Sequence, residues 1–315
     1  MARLTVSSPA SSANVGPGFD SFGIALNHPR DSIDVEVEAG SGRVEVEVSG
    51  RSEYAVPTNP EANSGGLVAK TILNRVGGGL DVRITVTKRI RPGCGLGSSG
   101  ATAAGVAFAL NRLLGLGLSP GELVLLAAEG ERAAAGSPHP DNVAASLLGG
   151  FTMIVSHDPI RVYKITPPRS LRICVVYPLV NVERKTEKMR SVIPTRVDLR
   201  DALWNIWHAA AVAAGFALGD VELLGSGMDD AIVEKARSSL IPCYSEVKRR
   251  ALHAGAKGVA VSGAGPAMMA FVKAGDMEPQ GVLREMLDAY TDAGVAANGF
   301  VTEPGEGCLV TLNDD

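Results

Sequence analysis

The ten residues Arg91-Pro-Gly-Cys-Gly-Leu-Gly-Ser-Ser-Gly100 connect a predicted strand to a predicted helix. The strand covers residues 80–88, where apolar and polar residues alternate, and the helix begins at Ala101. Backbone N–H groups at such a helix start, aided by the helix dipole, can hold an anion such as a phosphate. The same residues also fit a helix that packs closely on a strand through Gly and Ala. The loop alone leaves both interpretations open.

Two common nucleotide-binding motifs do not fit this loop. A Walker A loop needs a lysine after its glycines, and none follows here. Residues 95–100 do satisfy G-x-G-x-x-G. A dinucleotide fold, however, also needs an acidic residue about 20 positions later, at the end of a second strand. Residues 115–122, GLGLSPGE, indicate instead a helix end and a new helix start. A lysine-free phosphate loop remains, in which the Ser98 hydroxyl could reach a magnesium ion.

Two further glycine-rich segments flank this middle loop. The first, PASSANVGPGFD, covers residues 9–20, and the third, SGAGPA, covers residues 262–267. Asn14 tolerates left-handed backbone, and Gly16 permits close backbone approach. The third segment lies between two apolar strands and predicts a hairpin turn. Each of the two, taken alone, is typical of a simple turn.

Two polar groups stand out near the middle of the chain. A capping box, Ser119 to Glu122, predicts a helix that runs to about Ala135 and contains Glu131 among small side chains. Such a carboxylate lets a metal ion approach, although a solvated surface glutamate is the alternative. Next, the segment Pro138-His-Pro-Asp-Asn142 is a stiff break before a short helix. A helix N-cap would account for its Asp141 but not for its histidine or asparagine.

The remaining elements predict an α+β fold of two domains. Residues 31–50 predict a hairpin around Gly-Ser-Gly, since both halves alternate. Further strands are predicted at 151–165 and 171–178. Further helices are predicted at 61–76, 199–218, 242–255 and 278–293. Because strands and helices do not alternate regularly, a doubly wound parallel sheet is excluded. We place the domain boundary between residues 160 and 161, giving domains 1–160 and 161–315.

Composition excludes several classes of protein. The 315 residues include 30 basic and 34 acidic side chains, for a net charge of −4, which argues against a general nucleic-acid surface. The four cysteines lie far apart and form no CxxC motif, so neither a zinc site nor a disulfide framework is predicted. The low-charge stretches 101–118 and 205–218 contain polar interruptions that argue against a membrane span. We expect a soluble cytoplasmic protein.

The order of the three glycine-rich segments resembles the GHMP kinase superfamily, whose three motifs match PASSANVGPGFD, GLGSSGATAAG and SGAGPA. Within it, the chain is most similar to the homoserine kinases, through GSPHPDNVAASLLGGF at 136–151, KTEKMRSVIP at 185–194 and RSSLIPCY at 237–244. The resemblance implies an N-terminal domain like domain 2 of ribosomal protein S5 and a ferredoxin-like C-terminal domain. ATP would lie in the cleft between them. The implied reaction is the phosphorylation of the L-homoserine hydroxyl in threonine biosynthesis, and the resemblance also suggests a homodimer.

The resemblance also assigns roles to individual residues. The residues that match ATP-binding positions are Asn63, Pro92, Gly93, Cys94, Gly95, Leu96, Gly97, Ser98, Ser99, Gly100, Ala101 and Thr102. Ser98 and Glu131 match positions associated with Mg²⁺. The residues that match positions around homoserine are Asn14, Asp20, His139, Asp141, Arg190 and Arg237, the two arginines holding its carboxylate. Thr186 matches a position beside the reacting hydroxyl.

Some positions depart from the family pattern. Several related kinases place an aspartate near the γ-phosphate, whereas the matching residue here is Asn142, and an amide cannot accept the hydroxyl proton. We therefore predict phosphoryl transfer without a side-chain general base, with Asn142, Thr186 and Arg190 at the reacting groups. Other departures are Ser7, Gly100, Ala264 and Ala267. The alternatives are a mevalonate-type or sugar-type kinase of the same superfamily, or a catalytically silent relative.

Overall fold

The computed structural model describes residues 1–50, 56–77, 79–136, 138–180 and 185–311. The strands are, in chain order, β1 (Ala2–Asn14), β2 (Gly18–Ala39), β3 (Val44–Gly50), β4 (Leu80–Lys88), β5 (Phe151–His157), β6 (Ile160–Ile165), β7 (Leu171–Pro178), β8 (Gly258–Val261), β9 (Met268–Lys273), β10 (Ala297–Thr302) and β11 (Leu309–Val310). The helices are α1 (Ser64–Val76), α2 (Ser98–Leu113), α3 (Pro120–Glu129), α4 (Arg132–Ala135), α5 (Pro140–Leu148), α6 (Lys185–Ser191), α7 (Leu199–Leu218), α8 (Val221–Ser226), α9 (Val233–Arg237), α10 (Tyr244–His253) and α11 (Pro279–Asp292). Among the described residues, no helix is both long and apolar enough to cross a membrane.

In the described chain, seven strands form the first sheet, which has the order β11-β1-β2-β4-β3, with β5 beside β2 and β6 beside β5. The hairpin predicted at 31–50 is wrong, because β4 lies between β2 and β3. The carboxylate of Asp81 explains this order in part. It accepts backbone N–H bonds from Ser41, Gly42 and Arg43 at 2.7–3.0 Å, so the turn between β2 and β3 closes around the start of β4.

The first glycine-rich segment is mostly strand rather than loop. Strand β1 runs to Asn14 and β2 begins at Gly18, so only residues 15–17 lie outside the sheet. Gly16 has φ of +82°, and a Cβ built there would lie 2.9 Å from the Cα of Met228. A larger residue would therefore separate this turn from the second domain. Two long strands thus carry the segment to the junction of the domains.

In the described chain, four antiparallel strands form the second sheet, with the order β10-β7-β9-β8. With helices between β7 and β8 and between β9 and β10, this is the predicted ferredoxin-like arrangement. The domain boundary predicted at 160/161 would detach β6 from the first sheet, where it pairs with β5. Strand pairing moves the boundary to after Ile165. It also returns residues 309–310 to the first sheet, where they pair with β1.

A shared hydrophobic core joins the two sheets. Phe151 of β5 stacks on Phe216 of α7 with ring centroids 3.9 Å apart, and Phe22 and Phe271 meet this pair edge-on. Separate cores lie beneath each sheet on its own side. The residues between the two domains are therefore held by packing from both, which fixes the geometry of the cleft.

The helix predicted to run to Ala135 is broken near Gly130. Helix α3 ends at Glu129, and α4 begins at Arg132. A Cβ at Gly130 would lie 2.5 Å from the carbonyl oxygen of Ser64, so only glycine lets α3 approach α1 this closely. The break leaves Glu131 at the wall of the cleft. The capping box at the start of α3 is present as predicted.

Candidate active site

A cavity of about 710 Å³ lies between the two domains and brings together all three glycine-rich segments. The residues that line it are Ala13, Asn14, Phe19, Asp20, Pro92, Gly93, Gly95, Leu96, Gly97, Ser98, Ser99, Glu131, Arg132, Ala133, Gly136, His139, Asp141, Asn142, Glu187, Arg190, Arg237, Gly263 and Ala264. One side of the cavity is the middle loop with the start of α2. Two arginines and two aspartates line the same cavity.

The start of α2 is built to approach a ligand closely. Its N-cap, Gly97, has φ of +61° and offers no side-chain capping bond, while Ser98 and Ser99 line the cavity. A Cβ at Gly97 would lie 2.2 Å from Ser11 Oγ and 2.8 Å from Asn142 Oδ1, so a larger residue would displace both side chains and would also strain the left-handed backbone. The first N–H groups of a helix have no partner within the helix, and the dipole favours an anion there. This geometry supports the phosphate-loop interpretation.

The third segment is the predicted hairpin turn between β8 and β9, and it also holds the other two segments in place. The Ser262 hydroxyl lies 2.7 Å from the carbonyl oxygen of Gly95 and 2.8 Å from Ser12 Oγ. Asn14 Nδ2 donates to the carbonyl of Gly263 at 2.8 Å, and the Ala267 N–H donates to the carbonyl of Cys94 at 2.9 Å. None of these bonds uses the side chain of residue 264 or 267. The alanines at 264 and 267 therefore do not prevent the third segment from holding the loops together.

A buried ion pair beneath the middle loop was not predicted. Lys88 at the end of β4 pairs with Asp31 of β2, and both side chains are almost fully buried. Lys88 Nζ also donates to the carbonyl of Ser98 at 3.0 Å, and Asp31 accepts the N–H groups of Arg89 and Ile90. The pair thus ties the end of β4 to the first turn of α2, directly behind the proposed phosphate site.

Glu131 and Ser98 face the same cavity. Glu131 is 6% exposed, and its Oε1 is buried without a hydrogen-bond partner among the described residues. Burial, reinforced by the charge of Asp141, raises the pKa of Glu131 to about 7. Ser98 Oγ donates to the carbonyl of Ile90 at 3.0 Å, which leaves its oxygen lone pairs available. Such oxygens suit a hard cation. Within the described residues, no cluster of three or more His, Cys, Asp or Glu side chains could hold a metal on its own.

A group of oppositely charged side chains also lines the cavity. Arg190 Nη2 lies 2.8 Å from Asp20 Oδ1, and Arg237 donates to the carbonyls of Met189 and Gly263. Both guanidinium groups lie 5.4 Å from the ring centre of Phe19, a residue that the sequence did not single out. Burial, then the charge of Arg190, lowers the pKa of Arg237 to about 10.

Asp141, His139 and Asn142 complete the site. Burial, and then the charge of Asp20, raises the pKa of Asp141 to about 6. His139 Nδ1 lies 2.8 Å from Arg190 Nη2. Since arginine can only donate, Nδ1 accepts, and the proton of the neutral ring is on Nε2. Burial, and then the charge of Arg190, lowers the pKa of His139. Asn142 Oδ1 accepts from Ser11 Oγ at 3.0 Å.

Several predicted residues lie outside the cavity wall. Asn63 is the N-cap of α1, where its side chain accepts from Gly65 and Gly66 and donates to the carbonyl of Pro57. The other predicted ATP-binding residues behind the wall are Cys94, Gly100, Ala101 and Thr102. Thr186 lies on α6, but its side chain is outside the described part of the structure. Roles for these residues stay predictions.

Comparison with known proteins gives matches along almost the whole chain. The family model for the GHMP kinases N-terminal domain matches residues 64–150, and that for the GHMP kinases C-terminal domain matches residues 210–292. The homoserine kinase of Halorubrum lacusprofundi is 42% identical over 98% of this chain and 99% of its own. That of Methanocella arvoryzae is 39% identical over 100% of this chain and 99% of its own.

Solved structures agree with these sequence matches. The crystal structure of homoserine kinase from Cytophaga hutchinsonii has a TM-score of 0.89 and 32% identity, covering 98% of this chain and 97% of that one. The structure of mevalonate kinase from L. major with R-mevalonate has a TM-score of 0.70 at 15% identity, covering 98% and 97%. The second likeness concerns the fold alone.

Proposed function

The chain belongs to the GHMP kinase family, and we propose that it transfers the γ-phosphoryl group of ATP to the side-chain hydroxyl of L-homoserine. The product is O-phospho-L-homoserine, in threonine biosynthesis. One observation carries the proposal: Arg190, Arg237 and buried Asp141 line the same cavity as an anion-binding helix start. The two arginines suit a carboxylate, and the aspartate suits an ammonium group. The substrate is therefore an amino acid whose side chain reaches towards the nucleotide.

ATP is the phosphoryl donor, with its phosphates at the start of α2. Mg²⁺ belongs to this proposal, with Glu131 and Ser98 as the residues that would hold it. The unpartnered Oε1 of Glu131 supports this role, since Mg²⁺ in nucleotide sites takes one or two carboxylates together with phosphate oxygens. When bound, Mg²⁺ neutralises charge that develops on the phosphates.

Homoserine binding involves an exchange of ion pairs. Asp20 and Arg190 pair with each other in the structure, at 2.8 Å. A zwitterionic substrate supplies an ammonium for the acidic residues Asp20 and Asp141 and a carboxylate for Arg190 and Arg237. A ligand with only one charge would pair with either Asp20 or Arg190 and would leave the other side chain without an opposite charge. The exchange therefore favours an amino acid over a hydroxy acid or a sugar, while Asn14 and His139 complete the surroundings of the substrate.

We also propose that no side chain acts as general base. The Nδ1 lone pair of His139 is engaged by Arg190, so the proton of the neutral ring is on Nε2. The amide of Asn142 cannot accept a proton, and its oxygen accepts a hydrogen bond from Ser11 of the first glycine-rich segment. Asp141 is assigned to the ammonium group. A loose transition state demands little deprotonation of the nucleophile, so positioning and charge stabilisation suffice.

The alternatives are a mevalonate-type or sugar-type kinase of the same family and a catalytically silent relative. Mevalonate carries no ammonium group and a sugar carries neither charge, which disfavours both at a site with buried Asp141. The uncapped helix start and Glu131 disfavour a silent protein. An ADP-release assay with L-homoserine, L-serine, mevalonate and galactose separates these candidates. Turnover of mevalonate or galactose without turnover of homoserine would refute the proposal. A cytoplasmic location and a homodimer stay predictions.

A further inference from the structure

Two cationic side chains of the second domain lie over one aromatic ring of the first domain. The guanidinium carbons of Arg190 and Arg237 are each 5.4 Å from the centre of the Phe19 ring, and a ring face attracts a cation within about 6 Å. Phe19 lines the cavity and is only half-buried. Among the described residues it belongs to none of the hydrophobic clusters, whereas Phe22, three positions later, joins the shared core. The position of the ring therefore suits a contact with the arginines rather than core packing.

The backbone of the next residue directs the ring into the cavity. Successive side chains of an extended strand point to opposite faces of the sheet, yet both Phe19 and Asp20 line the cavity. Asp20 has φ of +55°, a left-handed conformation that is uncommon for residues other than glycine. Its N–H donates to Asn14 Oδ1 at 3.4 Å, and Asn14 Nδ2 donates to the carbonyl of Gly263 at 2.8 Å. A strained backbone that is held in this way indicates a functional constraint.

The two arginines carry more positive charge than the single ion pair at this place offsets. Arg190 pairs with Asp20 at 2.8 Å. Arg237 is 3% exposed and donates to the carbonyls of Met189 and Gly263, which carry no net charge. Burial, and then the charge of Arg190, lowers the pKa of Arg237 to about 10, so this side chain remains a cation at neutral pH. The negative face of an aromatic ring offsets part of such a charge without supplying a carboxylate that would compete for the arginines.

We propose that Phe19 is a positioning residue, which holds Arg190 and Arg237 together for the substrate carboxylate and thereby sets the preference for an amino acid with a free carboxylate. This role rests on the function proposed above. When homoserine binds, its ammonium group draws Asp20 away from Arg190. The ring keeps Arg190 beside Arg237 during this exchange, so the site does not have to gather two repelling cations while the substrate binds. Contacts that are in place before binding lower the cost of binding.

Phe19→Leu tests this role, because leucine keeps an apolar side chain and removes the ring face. The variant should raise the KM for L-homoserine roughly tenfold, with kcat and the KM for ATP retained. Turnover of L-homoserine amide, whose carboxylate is replaced by an uncharged carboxamide, should stay near that of wild type. Phe19→Tyr should restore the KM for homoserine, since it keeps the ring. The matched control is Phe108→Leu, because Arg112 lies 5.3 Å from the centre of that ring, outside the cavity wall.

Urea unfolding tests the contact without any substrate. Phe19→Leu should lower the unfolding midpoint more in the wild-type background than in the Arg237→Met background, where one of the two cations is gone. Equal shifts in both backgrounds would overturn the contact between ring and guanidinium.

The kinetic outcomes separate the role of the ring from the proposed function. An unchanged KM for homoserine in Phe19→Leu, or equal losses with homoserine and its amide, would overturn the positioning role alone. The same rise of KM in Phe19→Tyr or in Phe108→Leu would also overturn it. A wild-type protein that does not phosphorylate homoserine would refute the proposed function and, with it, the role of Phe19 towards the substrate.

Discussion

Glu131 links stability to activity, and Glu131→Gln tests that link most directly. The pKa of this carboxyl rises from 4.5 to about 7 in the folded protein. The folded state therefore holds the proton more tightly than the unfolded chain does. This lowers the free energy of unfolding as pH rises from about 4.5 to 7, and the full loss remains above pH 7. At 1.36 kcal/mol per unit of pKa, the loss is about 3 kcal/mol.

Glutamine cannot ionise, so the variant lacks this pH-dependent loss. We expect the Tm of Glu131→Gln, relative to wild type and without Mg²⁺, to increase by several degrees between pH 5 and pH 8.5. Calorimetry across this pH range measures the difference. Burial of the new amide N–H groups would lower the Tm of the variant by the same amount at every pH, so it would not change how the Tm difference depends on pH. The same variant should lose on the order of a hundredfold or more in kcat at limiting Mg²⁺.

The matched control is Glu129→Gln, two residues away. Glu129 is exposed and pairs with Arg132 on the surface, at 2.6 Å. Its substitution should change neither the pH trend of Tm nor kcat, since surface ion pairs contribute little. A Tm difference for Glu131→Gln that does not depend on pH would refute the argument from burial. Undiminished kcat at limiting Mg²⁺ would refute its role at the nucleotide.

Three further predictions concern the other parts of the site. Arg190→Ala and Arg237→Ala should raise the KM for homoserine roughly ten- to a hundredfold, since each removes a charge-assisted bond of about 1.5–3 kcal/mol. Steady-state kinetics that show a raised KM for ATP instead would contradict this. His139→Gln should retain turnover, and kcat should show no one-proton acid limb near pH 6–7 when saturating Mg²⁺, ATP and homoserine hold Glu131 and Asp141 in their ionised forms. An acid limb that disappears in the variant, with a drop of roughly a hundredfold, would identify His139 as the base. Lys88→Met should leave Asp31 buried and unpaired, so urea unfolding should show a loss of about 3–5 kcal/mol. Unchanged stability would contradict that prediction.

The sequence predicted helices and strands well where the spacing of apolar residues follows a single period. Strand β4 and helix α7 have the predicted limits, because alternation and helical periodicity are properties of the segment itself. The strand with which a given strand pairs, in contrast, depends on the rest of the chain. Alternation at 31–50 indicated two strands but could not reveal that β4, 30 residues later, lies between them. The break at Gly130 has the same origin, since the carbonyl of Ser64 imposes it from a distant part of the chain.

The site was predictable in outline, from the three glycine-rich segments and the arginines. The ion pair of Lys88 and Asp31 was missed, although a signal existed. On β4, Lys88 follows Val82, Ile84 and Val86 at every second position, on the buried face of the strand. On β2, Asp31 lies on the buried face in the same way. Charged residues of opposite sign at positions on the apolar face of two strands indicate a buried ion pair. No comparable signal marked Phe19, because its importance depends on two arginines from the other domain.

The return of residues 303–311 to the first domain affects how the protein is made. Strand β11 pairs with β1, Gly305 bonds to Ala25 and Gly150, and Arg30 donates to the carbonyls of Glu306 and Gly307. Domains usually fold one after another as the ribosome produces them, starting from the N-terminus. Here the first-synthesised domain waits for a segment translated after the second domain is complete. The edge of β1 that pairs with β11 therefore stays unpaired until residues 309–310 have been synthesised.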